Sequence, residues 1–170
     1  MPSESARMAT AAAARLRIDE PNSRPRCVKV IALDQPSERV VAQLAQGSWQ
    51  SAAFFTSVKF DGAPRVGEPW SMKAWLRDLA GRTKDLIDEV ASADLIVMVA
   101  SAGANADAAA VIAEACAVRK VMTTALIVGR DASNNQDLSK TLASLRPHAA
   151  MLVIADHDDY IEAMLTALRA

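Results

Sequence analysis

The residues of this chain that could do chemistry follow its apolar runs rather than lie within them. Asp34 follows the first such run, and the segment 101–107 follows a later one. If these runs are parallel strands, their carboxyl ends share one edge of a sheet, where open α/β sheets usually bind ligands. That edge would collect polar side chains from separate parts of the chain, namely Asp34, Gln35, Ser101, Gly103, Asn105, Asp107, Arg130, Asp131, Asp156 and His157. We predict a ligand-binding crevice made of five of them, Asp34, Ser101, Gly103, Asn105 and Asp107.

Among enzyme chemistries, serine hydrolysis matches this set best. Ser101, Asp131 and His157 each follow a different apolar run, in the chain order of the α/β-hydrolase triad. The motif around the serine departs from GxSxG, because the chain reads VASAG at 99–103. The sequence contains neither GxxxxGK[ST] nor a GxGxxG after its first apolar run. The acidic run 156–159 is interpreted as the solvated start of a helix, and no metal site is predicted.

The elements that must position these residues alternate along the chain. Apolar runs typical of strands are followed by segments with helical spacing of apolar residues. The predicted strands are 27–33, 51–60, 94–100, 121–129 and 149–155, and the predicted helices are 36–46, 71–91, 108–118, 134–145 and 156–169. The glycines and prolines of 61–69 predict a loop.

This alternation predicts an α/β fold with right-handed crossovers and helices on both faces of the sheet. We expect a single three-layer αβα domain over residues 27–170, Rossmann- or flavodoxin-like, with five parallel strands in the order 2-1-3-4-5. Residues 1–26 are rich in Ala, Arg, Ser and Pro without a sustained apolar face. They are interpreted as a mobile N-terminal tail.

Composition narrows the possible partners and compartments. The net charge of −1 over 170 residues gives no bulk attraction to nucleic acid. No apolar run approaches the roughly 18 residues of a membrane span, and the N-terminus lacks the apolar stretch of a secretory signal. Cys27 and Cys116 stand in apolar contexts without a CxxC motif, which is typical of buried free thiols. These features predict a cytoplasmic protein that binds neither nucleic acid nor membranes.

The segments ADLIVMVA, AAAVIAE and VMTTALIVG, all within 92–129, resemble the nucleotide-binding domain of the tubulin/FtsZ superfamily. The opening strand CVKVIAL is similar to that family's first strand. The resemblance covers residues 27–129 and implies a phosphate loop at 101–107, followed by a helix. It is carried most clearly by the helix 108–114.

The chain departs from that family where the chemistry lies. The family's loop has several glycines, whereas this loop has only Gly103, and Asp107 places a negative charge where a phosphate would bind. We therefore predict weak or absent binding of GTP and ATP, and no GTP hydrolysis.

The function expected from these observations is a non-catalytic or weakly ligand-binding relative of nucleotide-binding domains that acts through protein contacts. The alternative is a small enzyme or metabolite-binding protein that uses the crevice. The sequence identifies no cofactor. Three large apolar side chains near the start of the predicted helix 71–91 favour a homodimer or a docking site for a protein partner: Trp70, Met72 and Trp75.

Overall fold

The computed structural model of the chain describes residues 24–57, 75–78, 82–129, 135–155 and 158–170. Its strands are β1 (Val28–Ala32), β2 (Ala52–Ser57), β3 (Trp75–Asp78), β4 (Thr83–Asp85), β5 (Leu95–Ser101), β6 (Met122–Val128) and β7 (Met151–Ile154). Its helices are α1 (Gln35–Leu44), α2 (Leu86–Ala91), α3 (Ala108–Arg119), α4 (Asn135–Leu145) and α5 (Asp158–Ala167), with a 3-10 turn at Arg146–His148.

The strands form one mixed sheet of seven strands in the order β4-β3-β2-β1-β5-β6-β7. The predicted α/β class is confirmed. The prediction of five strands, all parallel, is wrong in the number of strands and hence in the order of the complete sheet, because the antiparallel pair β3 and β4 extends the sheet beyond β2. The other five strands are mutually parallel and run β2-β1-β5-β6-β7 within it.

The predicted helix over 71–91 is wrong. Its first described residues form β3, which pairs with β2, and a hairpin returns the chain as β4. The hairpin is closed by the N–H of Asp78, which donates to the carbonyl of Arg82 at 3.0 Å, and by the N–H of Arg82, which donates to Asp78 Oδ1 at 2.8 Å. Gly81 stands at the centre of the predicted helix, where glycine costs about 1 kcal/mol relative to alanine. Pairing with the edge of β2 offered the backbone a better alternative.

The remaining helix of this region, α2, begins where a carboxylate can cap it. Asp85 Oδ1 accepts hydrogen bonds from the N–H groups of Ile87 and Asp88, at 2.8 and 3.2 Å. Such a cap satisfies donors that the first turn leaves free. Among the described residues of the predicted 71–91 segment, six are helical, and they lie at its C-terminal end.

Two apolar clusters cover the two faces of the sheet, which makes the architecture three-layered. On one face, Leu86 of α2, Ile112 of α3 and Leu145 of α4 pack on residues of β1, β5 and β6. On the other face, Val41 of α1 and Ile161 of α5 pack on the alternate residues of the same strands. All seven residues of β5 are buried, as expected of a central parallel strand covered on both sides.

In the described part of the chain, no helix is long and apolar enough to cross a membrane. The predicted tail 1–26 lies outside the described residues except for 24–26. Trp70 and Met72 also lie outside the described residues, and only the backbone of Trp75 is described. The homodimer or docking site predicted at these side chains therefore stays a prediction.

Candidate functional site

The crevice predicted from the sequence lies at the carboxyl ends of β1 and β5, and Asp34 joins the two strands there. Asp34 Oδ2 accepts a hydrogen bond from the backbone N–H of Ser101 at 2.7 Å. One residue earlier, the N–H of Leu33 donates to the carbonyl of Val99 at 2.9 Å. The structure therefore brings Asp34 and Ser101 together, although they are 67 residues apart in the chain.

The second carboxylate oxygen of Asp34 caps α1. Asp34 Oδ1 accepts from the N–H of Ser37 at 2.9 Å, and the N–H of Asp34 donates to Ser37 Oγ at 3.2 Å, which completes a capping box. Pro36 stands in the first turn, where its missing N–H costs nothing. Because both oxygens of Asp34 are engaged within the protein, this carboxylate holds α1 and β5 in place.

The backbone N–H groups at the end of β5 and in the loop that follows are hydrogen-bonded within the protein. After the N–H of Ser101, that of Ala102 donates to the carbonyl of Val128 at 3.0 Å, and that of Gly103 donates to Thr141 Oγ1 at 2.9 Å. The N–H of Ala104 donates to the carbonyl of Ser101 at 3.1 Å. Four consecutive N–H groups are therefore already bonded. A phosphate loop works in the opposite way, because its N–H groups are left free to point at the ligand.

Asn105 and Asp107 form a closed pair at the start of α3. The N–H of Asp107 donates to Asn105 Oδ1 at 2.9 Å, and Asn105 Nδ2 donates to Asp107 Oδ2 at 2.7 Å. Asp107 makes no side-chain hydrogen bond to the first turn of α3. Asp107 therefore does not cap α3, and its carboxylate is instead hydrogen-bonded to the side-chain amide of Asn105. Its negative charge lies exposed at the helix N-terminus, where an anion would otherwise bind.

Gly103 is the one loop residue whose conformation requires glycine. Its φ is +85°, and a Cβ added there would lie 3.1 Å from Asp137 Cβ on α4. We expect Gly103→Ala to lower the free energy of unfolding by about 2 kcal/mol, because a positive φ strains L-residues and α4 is too close. Gly129→Ala is the matched control, since Gly129 has φ +74° but, apart from its chain neighbours, no atom of the described residues lies within 4 Å of the added Cβ. In urea denaturation, Gly129→Ala should lower the free energy of unfolding less than Gly103→Ala. Equal losses in the two variants would show that the contact with Asp137 is unimportant.

Of the predicted hydrolase triad, only Ser101 lies within the described residues. Asp131 and His157 fall outside them, as do Arg130 and Asp156. Ser101 itself is 8% exposed, at the end of a strand buried along its whole length. The described residues thus give no triad geometry, and that chemistry stays a prediction.

The remaining nucleophile and metal candidates fit structural roles. Burial raises the pKa of the Cys116 thiol to about 11, so its reactive thiolate is scarce at neutral pH. Cys27 is half-buried, and both cysteines are free thiols. Among the described residues, no group of three or more His, Cys, Asp or Glu side chains could hold a metal ion.

Two residues with clear roles were missed from the sequence. Thr141 of α4 holds Gly103, and no local pattern marks it. For Lys29 the sequence does contain a signal, because it is a lysine inside the apolar strand VKVIA. It is 9% exposed and forms an ion pair with Glu89 of α2, with Lys29 Nζ 3.0 Å from Glu89 Oε2. A charge in a buried strand normally requires such a partner.

Comparison with known proteins adds no evidence about function to the geometry described above. No protein-family model matches the chain. No curated protein matches it.

Proposed function

We propose that this chain is a non-catalytic α/β domain, related to the nucleotide-binding domains of the tubulin/FtsZ superfamily, that acts through protein contacts. The observation that carries the proposal is the loop 101–104, whose four N–H groups are bonded to Asp34, Val128, Thr141 and Ser101. A phosphate entering the loop would have to break these bonds before it could gain its own. The crevice is thus built as a structural joint between β1, β5 and α4.

The charge of Asp107 opposes a phosphate in the same place. Two like charges about 4 Å apart repel by about 1 kcal/mol in bulk water and about 4 kcal/mol at an effective dielectric constant of 20. Asp107 is exposed, which favours the lower figure. Even so, the helix N-terminus loses much of the attraction of about 0.3–1 kcal/mol that its dipole offers an anion.

Titration of the protein with GTP and with ATP, each with Mg²⁺, tests the nucleotide part of the proposal. We expect no heat of binding in calorimetry and no shift of the Gly103 amide resonance, because that N–H stays on Thr141. Micromolar or tighter binding of either nucleotide contradicts the proposal. Asp107→Asn is the informative variant, since it removes the charge and keeps an amide that can bond to Asn105. Tight anion binding by this variant alone would show that charge, rather than the engaged N–H groups, excludes nucleotides.

A protein contact is supported by the edge strand β7. β7 is the last strand of the sheet formed by the described residues, and its sequence MLVI has neither a charge nor a proline. The N–H of Ala155 donates to the carbonyl of Ile127 at 2.9 Å, and in the parallel register of β7 on β6 this places the backbone groups of Met151 and Val153 toward β6 and those of Leu152 and Ile154 away from it. Met151 is also 45% exposed. Monomeric proteins usually block such an edge with charges, prolines or bulges.

The partner that this edge fits without further assumptions is a second copy of the chain. Two β7 strands related by a two-fold axis can pair in antiparallel fashion, which makes the interface self-complementary and closed. We expect light scattering to give a dimer for the wild type and a monomer for Met151→Lys. Val118→Lys is the control, because Val118 is 75% exposed on α3 rather than on the edge strand. A monomeric wild type at high micromolar concentration would refute this interface. Loss of the dimer in both variants would show that the interface lies instead at the amino ends of the strands, which both Val118 and Met151 adjoin.

A further inference from the structure

A cleft separate from the crevice opens on the β2 side of the sheet. It has a volume of about 500 Å³, within the range of about 300–1,000 Å³ typical of small-molecule sites. Its walls come from β1, β2, the β3–β4 hairpin and α2. None of the five crevice residues lines this cleft. The residues that matter for its chemistry are Lys29, Phe55, Asp78, Arg82, Lys84 and Glu89.

Most charges in the cleft neutralise each other within the protein. Lys29 Nζ lies 3.0 Å from Glu89 Oε2, and Arg82 Nε lies 2.8 Å from Asp78 Oδ2. Lys84 is half-buried, and no hydrogen-bond acceptor or carboxylate pairs with it in the part of the chain that the structure describes. The described residues of the lining therefore carry one unmatched positive charge, that of Lys84.

The rest of the lining is apolar. Ala45, Ala52, Ala53 and Phe54 contribute to the walls beside Phe55. The Phe55 ring has the Lys29 ammonium 5.8 Å from its centroid, so Lys29 is held by both the ring and Glu89. Phe54 and Phe55 are already buried, so the apolar area that binding removes from water is mainly the ligand's own hydrocarbon and the half-buried alanines, and binding is favoured in proportion to that area.

We propose that this cleft binds a small organic anion of single negative charge with an apolar body, its carboxylate on Lys84 and its hydrocarbon against Phe55. A doubly charged phosphate fits less well, because Asp78 and Glu89 line the same cleft and would repel the second charge. This site goes beyond the proposed function and does not depend on it, since it shares no residue with the loop 101–107 or with β7.

The test compares two ligands of the same shape on the full-length protein. 3-Phenylpropionate carries the carboxylate, and 3-phenylpropan-1-ol is its neutral counterpart. We expect the acid to bind and the alcohol to bind about tenfold or more weakly, as the loss of a charge-assisted hydrogen bond predicts. Phenyl phosphate should also bind more weakly than the acid. Amide shifts in a ¹⁵N-correlated NMR titration should fall on β2, the β3–β4 hairpin and α2.

Two lysine variants locate the charge. Lys84→Met should weaken the acid about tenfold and leave the alcohol unchanged. Lys140→Met, on the exposed side of α4, should change neither. Equal affinity of wild type for acid and alcohol overturns the proposal without any variant, even if Lys84→Met does not fold. So does a titration in which the shifted amides lie at 101–107, or one in which no amide shifts.

Discussion

Replacing Glu89 by leucine is expected to lower the free energy of unfolding by about 3 kcal/mol, because it leaves a buried ammonium without its counter-ion. The side chains of Lys29 and Glu89 are 11% and 19% exposed, so water can replace little of the lost interaction. Lys29 lies in the central part of the sheet and cannot move its charge into solvent without disturbing β1. Urea or thermal denaturation followed by circular dichroism measures the loss.

Two further variants separate a buried pair from an ordinary one. The double variant Lys29→Met/Glu89→Leu removes both charges and should recover most of the stability, since hydrophobic side chains of similar volume often replace buried ion pairs without loss. Arg82→Ala breaks the ion pair with Asp78, in which Arg82 is 73% exposed, and should cost less than about 1 kcal/mol. If the double variant is as unstable as Glu89→Leu, packing around Lys29 rather than its charge determines the effect.

Asp34→Ala is expected to cost about 3 kcal/mol. The substitution removes the N-cap of α1, which contributes about 1 kcal/mol, and it leaves the N–H of Ser101 unsatisfied in a buried strand end, at about 1–3 kcal/mol. Both effects arise from the two oxygens of one carboxylate. Because α1 and β5 are held by the same residue, the loss should appear as a lower denaturation midpoint in a single cooperative transition.

Ser37→Ala and Asp34→Asn divide this effect into its parts. Ser37→Ala removes one half of the capping box and keeps the bond from the N–H of Ser101. Asp34→Asn keeps one acceptor oxygen, so it can preserve the cap or the link to β5 but not both. Each should cost roughly 1 kcal/mol. If Asp34→Ala cost no more than Ser37→Ala, the contact with Ser101 would contribute nothing to stability.

The parallel part of the fold was predictable because its strands are continuous apolar runs. The buried strand LIVMVAS and the alternation of such runs with helical segments leave few other arrangements. The β3–β4 hairpin was not predictable in the same way. Apolar residues at 75, 76, 79, 86, 87 and 90 fit a helix as well as they fit strands, and the pairing that decides between them is with β2, far away in the sequence.

The crevice was predictable as a place but not as a set of contacts. The sheet brings Asp34 and Ser101 together because both follow parallel strands that pair with each other. Whether their polar groups face a ligand or each other depends on distances of a few ångströms that no spacing encodes. The hydroxyl of Thr141, which accepts the hydrogen bond from the N–H of Gly103, comes from α4, and no sequence pattern indicates this role.

The position of β5 between β1 and β6 has a consequence for a chain that is still being synthesised. β1 ends at Ala32, whereas its inner neighbour β5 begins only at Leu95. On the ribosome, β1 can pair at first only with β2, and its other edge, with the apolar sequence VKVIA, stays open until β5 has emerged. Nascent chains that stall before residue 95 should therefore depend on chaperones to avoid edge-to-edge aggregation, and chains that extend past β6 should not.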